Sequence, residues 1–184
     1  MSLREKVIEF FYYSATTTRK SRNLFTLVGA LAYLTLFGLV IVFFLRLDKF
    51  LGFPEVFTFP LNLVLGLLFL VLGLVLYLSS VFYFIQARGT PIPLNPPPRL
   101  VTTGPYGRIR NPMLTGVFIM LFGLGILLQS ISLLFIFTPL FILFNVWEIK
   151  AIEEPELERR LGKEYLEYKT KVPGFIPRLK GKGK

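Results

Sequence analysis

The 184-residue sequence contains no cysteine and no histidine. Disulfides, thiol nucleophiles, Cys or His metal sites and imidazole general bases are therefore excluded. Asp48 is the only aspartate. A metal site made of carboxylates alone would have to do without it if, as argued below, it lies on the face away from the other acids. Charge is scarce as well: 17% of residues are charged and 53% are hydrophobic. A soluble domain averages about 25% charged.

The apolar residues are segregated into runs. Leu24–Leu45 and Leu61–Ile85, 22 and 25 residues long, hold no charge. About 20 apolar residues cross the hydrocarbon core as a helix, so both runs read as spans. The first is expected to be a span rather than a secretion signal, because 23 residues precede it and no small-x-small cleavage pattern follows. A third run, Met113 to Trp147, covers 35 uncharged residues with Gln129-Ser130-Ile131-Ser132 as its polar interruption. It reads as two short helices, about Met113–Leu128 and Leu133–Trp147, joined by a tight hairpin. A single bent, re-entrant segment is the competing reading. Pro139 is expected to kink the second helix and free a carbonyl that a neighbouring group must satisfy.

Lysine and arginine set the orientation. Five lie in residues 1–23, four in 86–112 and ten in 148–184, against Arg46 and Lys49 in the loop between the first two spans. Four spans place the three basic regions on one side. The expected fold class is thus all-α, a polytopic membrane protein with about four transmembrane helices, a cytoplasmic C-terminal amphipathic helix and both termini cytoplasmic. Three regions follow: an interfacial segment 1–23, a two-span hairpin 24–85, and a C-terminal half 86–184. The net charge of +10 fits flanks facing anionic lipid, and the basic tail 178–184 reads as a lipid-surface anchor rather than a nucleic-acid site. The cysteine-free, Gly/Pro-punctuated composition points to a prokaryotic plasma membrane.

Smaller features fill in the outline. Residues 1–13 read as an amphipathic surface helix with Leu3, Val7, Phe10 and Phe11 on one side. Residues 86–112 hold seven of the thirteen prolines, which predicts an extended, stiff loop. Gly66 and Gly73, like Gly116 and Gly123, are seven apart, a spacing that lets helices approach closely. Glu153-Glu154-Pro155-Glu156 has the composition of a helix start. Leu157, Leu161, Tyr165 and Tyr168 then follow on one face, and Pro173 and Pro177 end the helix.

Two polar clusters flank the third run: Gly104 to Met113, and Glu148 to Glu156. A helix hairpin brings its two ends together, so the clusters should be neighbours. A basic turn facing carboxylates suits a ligand carrying both charges, because an arginine binds a carboxylate and carboxylates bind an ammonium or ribose hydroxyls.

The residues "GPYGRIRNPM…G", followed about forty residues later by "EEPELERRLGKEYLEYKTKVPGFIP", resemble the isoprenylcysteine carboxyl methyltransferase and phospholipid methyltransferase superfamily. Its hallmark is G-P-Y-x-x-x-R-H-P-x-Y-x-G, a Glu-Glu pair, F-G-x-x-Y-x-x-Y and a closing V-P-x-x-x-P. The resemblance covers residues 89–178. It implies a membrane-embedded methyltransferase with S-adenosyl-L-methionine as cofactor, membrane lipids around it, and a lipophilic acceptor entering from the bilayer. It implies neither a metal nor a nucleic-acid partner. Tyr106, Arg110, Pro112, Met113 and Gly116 match the first motif, Glu153 and Glu154 the acidic pair, and Gly162, Tyr165 and Tyr168 the tail. Asn111 stands where the family has histidine and Leu114 where it has tyrosine; both positions belong to the implied cofactor site. Arg110, Glu153 and Glu154 are the catalytic candidates. The departures put the acceptor in question more than the cofactor, since asparagine can hydrogen-bond but cannot act as a base. Two other classes compete with this reading. NADPH-dependent membrane sterol reductases share a similar turn, but with Asn-Tyr where this chain has Met113-Leu114, and are far longer. A non-enzymatic transporter or scaffold would need a polar path, and the spans carry no charge.

Overall fold

A computed structural model of the chain describes residues 5–9, 19–87 and 99–178. Most of the proline-rich stretch, the basic tail from 179 onward, and Leu3, Phe10 and Phe11 lie outside the described residues. Residues 5–9 are helical, and no strand occurs among the described residues. The first long helix, α1, runs Arg19–Leu51, and the second, α2, runs Leu61–Gln86. A 3-10 turn at Gly104–Gly107 leads to α3, Pro112–Leu127. A continuous helix, α4, follows over Leu133–Leu161, and α5 covers Lys163–Lys171.

Among the described residues, α2 and α4 are long and apolar enough to cross a membrane, and α3 is a shorter apolar helix. The third apolar run is therefore a hairpin of two helices and not one bent segment. The first two runs fall inside α1 and α2. The fourth element departs from expectation. Instead of stopping at Trp147 and restarting at the acidic cluster, the helix continues without a break through Glu153-Glu154-Pro155 to Leu161. At about 1.5 Å per residue it is roughly 43 Å long, enough for its acidic end to project past a hydrocarbon core of about 30 Å.

Two π-turns make that continuity possible, at Leu133–Phe137 and Ile149–Glu153. Each lies just before a proline, Pro139 and Pro155, whose ring removes an amide from the ladder. At the first, Leu133 offers its carbonyl both to the Thr138 amide and to the Thr138 hydroxyl, at 2.7 Å. The Thr138 hydroxyl, beside the proline, is thus a second donor to the Leu133 carbonyl. The C-terminal stripe departs too: Gly162, with φ 57 and ψ −130, breaks it into α4 and α5.

Helices α2 and α3 pack antiparallel through their glycines. The buried residues of α2 are Gly66, Gly73 and Ser80, seven apart. A Cβ on Gly73 would meet the Gly116 carbonyl at 2.6 Å, and one on Gly123 the Leu70 amide at 2.7 Å. Backbone thus lies directly against backbone, as the seven-residue spacing predicts. An aromatic cluster joins α1 to the hairpin: Phe44 lies 5.3 Å from Phe137, and Phe37 5.8 Å from Phe141.

At the end of the hairpin away from the acidic cluster, polar groups tie it to the loop 46–60. The Gln129 side chain accepts hydrogen bonds from the Val56 and Phe57 amides at 3.1 and 3.0 Å and donates to the Phe57 carbonyl. Asp48 accepts from the Ser130 hydroxyl and, at 2.9 Å, from the Ser132 amide. The sole aspartate therefore caps the start of α4 from another helix, where the unpaired amides favour a negative charge.

The glycine contact predicts its own test. Gly116→Val places a side chain 2.7 Å from the Gly73 carbonyl and 2.9 Å from the Tyr77 amide, both backbone atoms. We expect a loss of about 3 kcal/mol and a lower unfolding midpoint in detergent. Gly38→Ala, which meets nothing within 4 Å, should leave the midpoint unchanged or raise it. Equal midpoints for the two variants would contradict this account of the packing.

Candidate functional site

The site begins with a backbone requirement. Gly104 has φ 60, and a Cβ there would lie 2.4 Å from the Tyr83 ring. Only glycine lets the chain turn so close to α2. The turn that follows stacks the buried Tyr106 ring on Phe84, with centroids 5.3 Å apart. The Tyr106 carbonyl accepts a 2.7 Å hydrogen bond from the hydroxyl of Tyr168 on α5. Burial pushes both phenols above their ordinary range, so both hydroxyls stay protonated and Tyr168 remains a donor.

Arg110 is the centre of the arrangement. Its backbone amide donates to the Pro173 carbonyl at 2.8 Å, and the next amide, Asn111, to the Gly174 carbonyl at 3.0 Å. Its Nη1 donates to the Lys169 and Val172 carbonyls at 3.0 and 2.8 Å. A guanidinium thus caps the end of α5, where the helix dipole favours a cation. Its Nη2 meets Glu154 Oε1 at 2.5 Å. Lys169 Nζ meets the other Glu154 oxygen at 2.6 Å and Glu158 at 2.8 Å. Those carboxylates hold the lysine above its ordinary pKa, Glu154 foremost. The Nε of Arg110 is buried and has no hydrogen-bond partner.

The two acids of the pair differ in their surroundings. Glu154 is buried and spoken for by Arg110 and Lys169. Glu153 is half-buried and has no hydrogen bond or ion pair among the described residues. Its charged neighbours are Glu148, Glu156 and Glu154, together with Arg160. The π-turn explains why Glu148 and Glu153 meet. Five residues in an α-helix would turn about 500°, leaving them well apart, whereas a π-turn brings residue i+5 back over residue i. Glu156 is instead paired with Arg160 at 2.8 Å.

The remaining predicted residues take other places. Asn111 precedes Pro112, the first residue of α3, and its side chain reaches the Gly174 carbonyl at 3.4 Å rather than capping the helix. Pro112 is buried, and Met113 and Leu114 are half-buried. Gly116 lies in the helix contact described above, against Gly73 and Tyr77. Tyr165 and Tyr168 are the buried residues of α5. Sequence reasoning missed Lys169, although it directly follows a matched tyrosine. It also missed the carbonyls of 172–174, since backbone acceptors leave no mark in residue type. Phe175, which stacks on Phe118 at 5.7 Å, was missed too. A cleft of about 310 Å³ opens beside this cluster, lined by Leu100, Thr102, Gly107, Tyr168 and Val172 among others. Arg110, Glu153 and Glu154 do not line it. Among the described residues no group of three or more acids is arranged to hold a metal ion.

Apolar helices with a charged, hydrogen-bonding cluster at one end of a helix hairpin are the pattern of a membrane-associated protein. The chain belongs to the phospholipid methyltransferase family, a family of membrane methyltransferases, whose model matches residues 61–164. The matched stretch takes in α2, the 104–116 turn, the hairpin and the acidic pair, and stops as α5 begins. The chain is also similar to the nickel-cobalt-cadmium resistance protein NccN of Alcaligenes xylosoxydans xylosoxydans, with 38% identity over 80 residues. That alignment covers 44% of this chain and 37% of NccN.

Tyr168→Phe isolates one of these contacts. Losing a single buried hydrogen bond to the Tyr106 carbonyl should cost about 1 kcal/mol and lower the unfolding midpoint without changing helix content. An unchanged midpoint would mean that the hydroxyl does not hold the turn.

Proposed function

We propose that the chain is an integral membrane methyltransferase that transfers the methyl group of S-adenosyl-L-methionine to a lipid-like or lipid-anchored acceptor. In this reading it crosses the bilayer four times, with both termini and the 104–116 turn in the cytoplasm. The observation that carries it is the joining of the two motif regions by the Arg110–Glu154 ion pair, at the end of the hairpin where the family's working residues lie.

The residues present suit the cofactor. Arg110 keeps one buried donor, Nε, without a partner, which fits a carboxylate. Glu153 is the acid of the pair without a cation of its own, which fits an ammonium or ribose hydroxyls. Tyr106, Asn111, Pro112, Met113 and Leu114 form the turn beside them, as the family pattern implies. Gly116 is assigned to helix packing and supports the turn from below. The cofactor supplies a sulfonium methyl group, an electrophile that needs no activation by a metal or an imidazole. The protein's work is to orient the reactants and exclude water. Arg110 orients and Glu154 fixes Arg110. Glu153 can take a proton if the acceptor is an amine, whereas a carboxylate acceptor has none to lose. The absence of histidine from the chain is compatible with either acceptor. The exposed face of α4 below the acids, with Leu140, Leu143, Phe144 and Trp147, offers an apolar approach from the bilayer.

Thermal melts of the detergent-purified protein with S-adenosylmethionine, its demethylated product and NADPH, each alone, test the assignment. A ligand at about 100 times its Kd should stabilise by about 2.7 kcal/mol. A shift with NADPH and none with the other two would overturn it. Glu153→Gln should abolish the shift while leaving the ligand-free midpoint close to wild type. Glu154→Gln should lower that midpoint by roughly 2 kcal/mol, because Arg110 and Lys169 lose a charged acceptor. Topology has a separate test, made clean by the cysteine-free background. On intact cells a membrane-impermeant maleimide should label Lys49→Cys and spare Lys163→Cys. Equal labelling of the two positions would rule out the four-span arrangement.

A further inference from the structure

Residues 162–178 are joined to α4 through a glycine in the left-handed region. Gly162 is exposed, its φ of +57 is open to glycine at little cost, and a Cβ there would meet nothing within 4 Å. It is a joint with room around it. Beyond it α5 folds back so that Lys169 reaches Glu154 and Glu158 on the last turns of α4. Only Tyr165 and Tyr168 of α5 are buried, and Leu166 is exposed.

Most of the ties that hold this unit are polar. Tyr168 bonds to the Tyr106 carbonyl, and Arg110 reaches the Lys169 and Val172 carbonyls. The Arg110 and Asn111 amides bond to Pro173 and Gly174. Among the described residues, the ring contact of the 172–175 segment is the stack of Phe175 on Phe118. The 310 Å³ cleft runs along the seam between residues 100–107 and α5, so one edge of the unit is not closely packed. A nine-residue helix is marginal by itself, and regions with few buried apolar contacts open well below the global unfolding free energy.

We propose that α5 and residues 172–175 form a hinged cover over the 104–111 turn. It swings about Gly162 and is held shut by the Arg110–Glu154–Lys169 ion-pair cluster. Closed, it keeps water from Arg110 and Glu154. Open, it frees the Arg110 guanidinium from the α5 carbonyls and exposes the turn. A use in exchanging cofactor rests on the methyltransferase reading, but the existence of the cover does not.

Amide hydrogen exchange on the full chain in detergent or nanodiscs, with no ligand, tests it. The amides of 164–175 should exchange as one group, at least about tenfold faster than those of 154–161 and 112–127. Lys169→Met keeps much of the side-chain volume and removes the charge. It should speed exchange of that group by about tenfold and leave α3 unchanged. Glu158→Gln, a milder change at an exposed site, should give a smaller acceleration confined to the same segment. A common exchange rate for 154–161 and 164–175 would overturn the proposal, as would acceleration of α3, α4 and α5 together. Because no cofactor is added, the outcome is independent of whether S-adenosylmethionine binds.

Discussion

The guanidinium of Arg110 is the interaction on which the site depends. Its planar fork supplies donors in fixed directions, and three parts of the chain meet at this residue. Nη1 goes to the end of α5 and Nη2 to Glu154 near the end of α4, while the backbone of the arginine anchors the third part, the turn that carries it. A lysine could meet the charge but not the geometry, because it would present a single point of donation. Arg110 therefore fixes how the turn, the acidic pair and the C-terminal helix sit together. It does so in a partly buried setting, where such pairs are sensitive to the loss of either partner.

Much of this was legible in the residues. Uncharged runs marked the apolar helices because a membrane leaves the backbone few alternatives. The glycine pairs marked the α2–α3 contact because only a missing side chain permits so close an approach. Glu153 and Glu154 were recognisable as a pair, and the hairpin argument placed Glu154 beside Arg110 correctly. Their separate circumstances were not legible. One acid is consumed in an ion pair and the other is left without a partner. That difference follows from the π-turn, which has no residue signature beyond a nearby proline. Pro155 was therefore read as a helix start when it lies inside a helix. Gly162, part of the matched tail, also separates α4 from α5.

The opposite end of the hairpin was read least well. Gln129, Ser130 and Ser132 stood out only as an interruption between apolar runs. Asp48 and Ser130 supply acceptors to the amides at the start of α4, and Gln129 ties the same end to the backbone of residues 56 and 57. Nothing in the local sequence around Asp48 announces a partner 82 residues away; only folding brings them together. The hairpin is thus secured at both ends by polar groups and in its middle by contact between backbones. This leaves it the best-determined part of the fold and a firm base for a working site.

The π-turn at Ile149–Glu153 also makes the site depend on residue count and not only on residue identity. An α-helix advances by about 100° per residue. Forcing those same residues into regular winding would turn everything beyond them by about that angle, because a π-turn takes five residues through roughly the angle that four take in an α-helix. Glu154 would then face away from Arg110 with its chemistry intact. A residue added elsewhere in the helix, with no widened turn to absorb it, would have the same effect. The π-turn is in that sense what keeps Glu154 in register with Arg110.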